Sequence, residues 1–335
     1  MFETILSKFV YVLTSSINNG MPVLFGATGE ILTEKSGHLN LGIPGVMAVG
    51  GISGVIAAFF YGQVPDMNPV LTILIPMLAC LLGSLVMGLI YCFLTVTLRA
   101  NQNVTGLALT TFGIGIGNFF GASIIKITHV DIPSVRIDAT SKLFKATLPF
   151  ASKLGWFGEI FLSYRFLVYL GLIIAFIASF ILFRTRLGLH LRAVGENPAT
   201  ADAAGINVNK YKYFATCIGS MIAGLGGFFY CIDKNGWSND TIEPLGWIAI
   251  ALVIFAIWKP HMAVVGAILF GLLLNLYDLI PALGLNIKFP QGYDKLFKMI
   301  PYIVTIVVLI ITSARKKREY QPPSHLGLSY FREDR

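Results

Sequence analysis

The chain has 335 residues, 55% of them hydrophobic and only 13% charged, with a mean hydropathy of +0.73 and a net charge of +8. A soluble domain carries about 25% charged residues, so this chain cannot cover itself with a polar surface in water, and lipid is its expected solvent. The positive balance does not point to nucleic acid. The basic residues are spread over loops and chain ends, as where Lys and Arg flank membrane spans, and no polar face interleaves them with aromatics.

In chain order, residues 9–32 can span but are interrupted by Asn18, Asn19, Gly20 and Pro22. A polar, Gly-rich stretch at 34–42 follows, either a simple loop or a segment dipping into the membrane against protein. Residues 45–60 form a short second span. Residues 69–98 form a long apolar run able to tilt or kink at Pro76, and 104–125 a Gly-rich span. Residues 163–183 number 21, about 31 Å at 1.5 Å per residue, which matches the hydrocarbon core. Spans at 213–232, 245–258, 262–283 and 299–312 complete the set. The expected fold class is an all-α integral membrane protein, a polytopic bundle of about nine transmembrane spans (8–10) forming one domain over 1–335. A barrel is excluded because the segments are too long and lack alternation.

If 184–212 faces the cytoplasm, so do 34–38, Arg99, Lys259 and a tail over 313–335. These hold 14 of the 25 Lys and Arg. The compact cluster Arg315, Lys316, Lys317 and Arg318, directly after the last span, is the best single sign of a cytoplasmic C-terminus. Nine spans then put the N-terminus outside. That N-terminus, with Glu3 and no short cleavable apolar core, does not read as a signal peptide.

Small residues recur every fourth position at Gly113, Gly117 and Gly121, and again at Gly219, Ala223 and Gly227. This spacing lets helix backbones approach closely, either inside one subunit or along a pore or a second subunit. Cys80, Cys92, Cys217 and Cys231 all fall in apolar stretches without metal-ligand spacing and read as small core residues. No G-x-x-x-x-G-K-[ST] loop is present to cradle ATP phosphates. No Ser–His–Asp set or His/Cys metal cluster is apparent, and neither catalytic nor metal-binding residues are assigned.

The most informative stretch is 184–212. Asn197 is a good helix N-cap, Pro198 fits the first helical position, residues 199–204 are mostly helix formers, and Gly205 suits a left-handed stop. The result is a helix of about two turns, roughly 10 Å long, too short to span. From the residues alone it is either a structural surface helix or a docking element. Polar residues inside spans mark candidates for a translocation path: Asn40, Asn103, Thr105, Thr110, Asn118 and Asn275, with Thr111 and Asp278 beside them. Each can equally well bond between helices. Apart from Asp278, near a span end, the span centres hold no acid. A proton-coupled secondary transporter usually carries ionisable residues there, so an Asn/Thr-lined passage suits a neutral polar solute.

The segment GENPATADAAGINV at 195–208 resembles the cytoplasmic coupling segment of ABC permeases of the branched-chain amino acid, simple sugar and nucleoside group. EKSGHLNLGIPGVMAVGG at 34–51, GWIAIALVIFAIWKP at 246–260 and HLGLSYFRE at 325–333 are similar to further parts of that group, the last to the tail of nucleoside-type permeases. Residues 126–159 and 283–298 are the least similar. The resemblance implies a multi-pass permease subunit of the bacterial cell (inner) membrane that carries a nucleoside or related small polar solute; a simple sugar or another heterocyclic nutrient is the alternative, and a stand-alone secondary transporter is the rival class, for which no coupling-ion ligands are assigned. It implies that Glu196, Asn197, Pro198, Ala199, Thr200, Ala201, Asp202, Ala203, Ala204 and Gly205 couple to an ATPase. It also implies as partners a second related permease, ABC ATPase subunits and an extracellular, lipid-anchored solute-binding protein. This chain would then bind no cofactor of its own, ATP and Mg being held by the partner ATPase.

Overall fold

The structure, a computed structural model, describes residues 2–128, 135–147, 155–282, 292–314 and 321–331. The cluster 315–318 and the end of the expected span 262–283 lie outside the described residues. The elements are α1 (Phe2–Lys35), α2 (Ile43–Tyr61), α3 (Pro69–Cys92) continued by a π turn (Phe93–Thr97), α4 (Gln102–Thr128), β1 (Val135–Arg136), α5 (Asp138–Phe144), α6 (Gly155–Phe161) and α7 (Phe166–Arg184). There follow α8 (Arg186–Glu196), α9 (Pro198–Ala203), α10 (Val208–Asp233), β2 (Gly236–Trp237), α11 (Glu243–Phe255), α12 (Pro260–Leu274), α13 (Leu276–Ala282) and α14 (Tyr293–Ala314).

Five of the described helices are long and apolar enough to cross a membrane: 43–61, 69–97, 102–124, 166–184 and 208–233. The expected spans at 245–258 and 262–283 are shorter as helices. α11 has 13 residues and α12 has 15, about 20 and 22 Å at 1.5 Å per residue. α12 stops at its C-cap Asn275, and α13 starts afresh after it. In the opposite direction, α1 is one uninterrupted helix of 34 residues despite the expected break. Asn18 and Asn19 turn their amide nitrogens back onto the carbonyls of Thr14 and Ser15, each at 3.0 Å, so these donors are satisfied inside the helix. Helix α3 likewise continues through Pro76.

The bundle is centred on α1, α2 and α10. α1 packs against α10 and α12, while α2 lies against α3, α4 and α10. Most residues of α2 and α10 are buried inside the protein, whereas most of those of α3, α4 and α7 are not. The first two therefore form the interior, and the other three present broad apolar faces outward. Small residues make the interior possible. A Cβ at Gly219 would strike the backbone of Gly29 on α1, and one at Gly227 the carbonyl of Met47 on α2. The stripe on α4 does two different things. Gly113 lies against the backbone of Gly45, whereas Gly117 and Gly121 make room for the indole of Trp237, which is 3% exposed.

One end of the bundle carries the antiparallel β1–β2 pair and the Arg165–Asp233 ion pair. The other end gathers the C-terminus of α1, the 36–42 segment, the start of α4, the α7–α10 connection, Lys259 and residues 321–331. The positions that the charge pattern put on one side are thus together.

Candidate functional site

Three side-chain caps shape the α7–α10 connection. Thr185 accepts from Gly188 N at 3.2 Å and starts α8, a second helix within 184–212 besides the expected one at 198–204. Asn197 accepts from Thr200 N at 3.0 Å and starts α9, with Pro198 at its first position. Asn207 accepts from Lys210 N at 3.0 Å and starts α10. Helix α9 ends in a paired stop. Gly205 N donates to Asp202 O at 2.9 Å and Ile206 N to Ala201 O at 3.0 Å, with Gly205 at φ +81°. Such a left-handed stop favours glycine. Both ends of this two-turn element are therefore fixed by hydrogen bonds.

Helix α9 has two faces. Pro198 and Ala201 are buried, Ala201 in a small core with Val194 and Val208, against which Ile206, Tyr211 and Tyr330 pack. Glu196, Asn197, Thr200, Ala203, Ala204 and Gly205 are exposed, with Ala199 and Asp202 half-buried. The outward surface is thus made almost entirely of small side chains.

Residues 321–331 lie across this region. Ser324 donates from its hydroxyl to Glu196 Oε2 at 2.7 Å, His325 N to Gly195 O at 3.0 Å, and the Tyr330 hydroxyl to Asp202 Oδ2 at 2.9 Å. At the start of α4, Gln102 Nε2 donates to Leu328 O at 3.1 Å, and the Arg99 guanidinium sits 4.8 Å from the centre of the Phe331 ring. Burial, and after it the charge of Lys212, holds the His325 imidazole below its ordinary value.

Beneath that segment, residues 36–42 are packed into protein, with Ser36, His38 and Asn40 fully buried. Asn40 N donates to Glu30 Oε1 at 3.0 Å, and Gly42 N donates to Asn40 Oδ1 at 2.9 Å. Leu39 N donates to Gln102 Oε1 at 2.8 Å, and the Tyr91 hydroxyl to Leu39 O. His38 Nδ1 is 3.0 Å from the Thr216 hydroxyl. Burial pushes this imidazole well below its ordinary value, and the charge of Lys212 acts in the same direction. Trp258 Nε1 donates to Glu34. Glu30, Glu34, His38, Tyr91, Gln102 and Trp258 were not singled out as site residues from sequence, because each reads alone as an ordinary helix-end or apolar-run residue.

The proposed path residues fall in separate places. Thr110 donates to Leu41 O at 2.7 Å and so lies against the segment that carries Asn40, Thr105 is buried, and Asn103 is exposed. Thr111 donates to its own helix at Leu107 O. Asn118, at the other end of α4, donates to Asp240 Oδ1 at 2.7 Å. Asn275 donates to Ser15 Oγ at 2.8 Å, linking α12 to α1, and Asp278 is exposed. No group of three or more His, Cys, Asp or Glu able to hold a metal ion occurs among the described residues.

Residues 12–309 match the family described as the permease component of the branched-chain amino acid transport system. The chain is 32% identical to a guanosine ABC transporter permease of Bacillus subtilis, over 89% of this chain and 90% of that one. It is 30% identical to a nucleoside ABC transporter permease of Lactococcus lactis, over 92% and 93%. It is also 31% identical to a protein of Haloferax volcanii described as a putative glucose ABC transporter permease, over 96% and 98%. With α2, α3, α4, α7 and α10 able to cross a bilayer and the family match running from α1 into α14, this chain belongs to the membrane-spanning ABC permease family of the branched-chain amino acid type.

Proposed function

We propose that the chain is the translocation subunit of an ABC importer in a bacterial cell membrane, passing a nucleoside or related small polar solute. The observation that carries this reading is α9, a two-turn helix fixed at both ends that presents a small-residue surface between α7 and α10. A docked ATPase can press on such an element without the motion being absorbed locally. Because α10 packs against α1, α2 and α3, displacement at its start reaches the interior of the bundle. In this account residues 196–205 couple, residues 184–212 form the cytoplasmic connection, and ATP and Mg belong to the partner. A second permease completes the path, and a solute-binding protein, lipid-anchored in this reading, delivers solute at the Trp237 end. Adding α1, α11, α12 with α13, and α14 to the five long spans gives nine crossings, with the C-terminus in the cytoplasm.

The nucleoside assignment follows the guanosine and nucleoside permeases among the relatives, and the equally similar Haloferax volcanii glucose-type permease supports a sugar as the second reading. Reconstitution of the permease pair with its ATPase in vesicles, supplied with binding protein and labelled solutes, separates them. Uptake of guanosine driven by ATP is the expected result; uptake of glucose alone moves the assignment to sugars. Uptake without the ATPase overturns the importer reading itself.

A further inference from the structure

We propose that residues 321–331 form part of the ATPase-docking surface, walling one groove beside α9 and one beside α8, the latter of which receives an acidic segment of the ATPase. This rests on the coupling reading of α9 and deepens it.

The segment is seated on folded elements. It bonds to Gly195 and Glu196 at the α8–α9 junction through His325 and Ser324, and to Asp202 on α9 through Tyr330. It bonds to Gln102 at the start of α4 through Leu328 O. Gln102 in turn receives Leu39 N, so one side-chain amide ties the segment to the buried 36–42 stretch. Helix α9 is thereby linked to α4 by a route outside α10.

A cavity of about 500 Å³ lies beside α9, with Arg99, Asp202, Asn207, Asn209 and Tyr330 in its wall. A second, of about 290 Å³, lies beside α8, with Lys35, Arg192, Lys259, Glu196, Gln321 and Pro323 in its wall. Residues of the 321–331 segment stand in both. The second groove brings three cations from α1, α8 and the α11–α12 turn around one carboxylate. Opposite charge across an interface steers encounter and fixes register, so this balance fits a partner segment bearing Asp or Glu. Without residues 321–331 each groove loses a wall, and Glu196 and Asp202 lose hydrogen bonds that hold them in place.

The test uses the full permease and the ATPase that co-purifies with it. A chain ending after residue 320 is expected to insert and fold, with a lower melting temperature from the contacts it loses, but to bind the ATPase at least about tenfold more weakly. Arg192→Glu combined with Lys259→Glu is expected to weaken binding more at low salt than at high salt, since screening erases exposed charge pairing. Should the shortened chain fail to fold, the Ser324→Ala, Tyr330→Phe double variant removes two of the hydrogen bonds and keeps the segment. A several-fold loss of ATPase affinity, with unchanged melting, is then the expected result. Wild-type affinity in the shortened chain, or in the double variant where only that folds, overturns the proposal. Salt-independent, undiminished affinity in the charge-reversed variant overturns its acidic-partner clause. An Ala203→Trp control separates the two levels: lost coupling there with intact tail variants rejects this inference alone, whereas normal coupling there rejects the reading on which it rests.

Discussion

Trp258 donates its indole hydrogen to the buried carboxylate of Glu34, joining the α11–α12 turn to the last turn of α1 across 224 positions of sequence. The turn reaches that position through an unusual backbone, with Ile257 at φ +53° and Trp258 at φ +52°. A branched residue there is strained, and such strain persists only where surrounding contacts hold it. Trp258→Phe keeps most of the packing and removes the donor. An unsatisfied buried acceptor costs about 1–3 kcal/mol, so a lower melting temperature in detergent is expected. Equal melting of variant and wild type would show that Glu34 gains nothing from the indole.

Gly117→Leu is expected to lower the yield of folded permease, because a Cβ at this position would sit 2.7 Å from the Trp237 ring and overpacked sites cost about 1–3 kcal/mol. The structure adds a second expectation. Trp237→Ala on the Gly117→Leu background opens the space again and restores part of the yield. A double variant worse than the sum of both singles would place the clash elsewhere.

The legible parts of this fold were those written in local punctuation. Asn197, Pro198 and Gly205 mark both ends of α9 within nine residues, and the expected helix matches the structure. The same signals stood at α8, where Thr185 caps and Leu187, Leu191 and Val194 follow at helical spacing, but the basic residues between them read as loop. The α1 break failed because Asn18 and Asn19 bond back to their own helix, which composition does not reveal. Long apolar runs gave the interior and peripheral spans, yet run length alone could not show that α11 is 13 residues or that α12 stops at Asn275. The polar assembly of Glu30, Asn40, Gln102, Leu328, Asp202 and Tyr330 was out of reach, because its bonds join residues as far apart as Gln102 and Leu328, 226 positions. The path residues were chosen by polarity alone, and polarity does not say which of them share a surface.

The contribution of two imidazoles to stability should fall on acidification. His38 and His325 are both held below their ordinary values of about 6.5 in the folded chain. The unfolded chain therefore takes up protons first. The stabilisation is complete above the ordinary value and is lost as pH drops below it, through the folded values. Between about pH 7 and pH 5 the melting temperature of the wild type is expected to fall relative to that of the His38→Gln, His325→Gln double variant. Identical pH profiles for variant and wild type would remove these imidazoles from the account.

The purified permease alone is expected not to hydrolyse ATP, since the sequence carries no phosphate-binding loop and relatives in its family are permease components. Turnover should appear only when the ATPase is added. Activity that persists in preparations shown by mass spectrometry to lack any ATPase would contradict the division of labour.

The coupling role of α9 is the central claim, and Ala203→Trp tests it most directly. Ala203 is exposed on the outward face of α9, away from the small core under Ala201, so an indole there disturbs a docked partner and leaves the permease free to fold. Solute uptake and ATPase association are measured together in reconstituted vesicles. The account predicts a folded, inserted permease whose uptake is abolished and whose ATPase is detached or hydrolyses ATP without transport. Wild-type uptake with normal ATPase association would contradict it and return α9 to a surface helix.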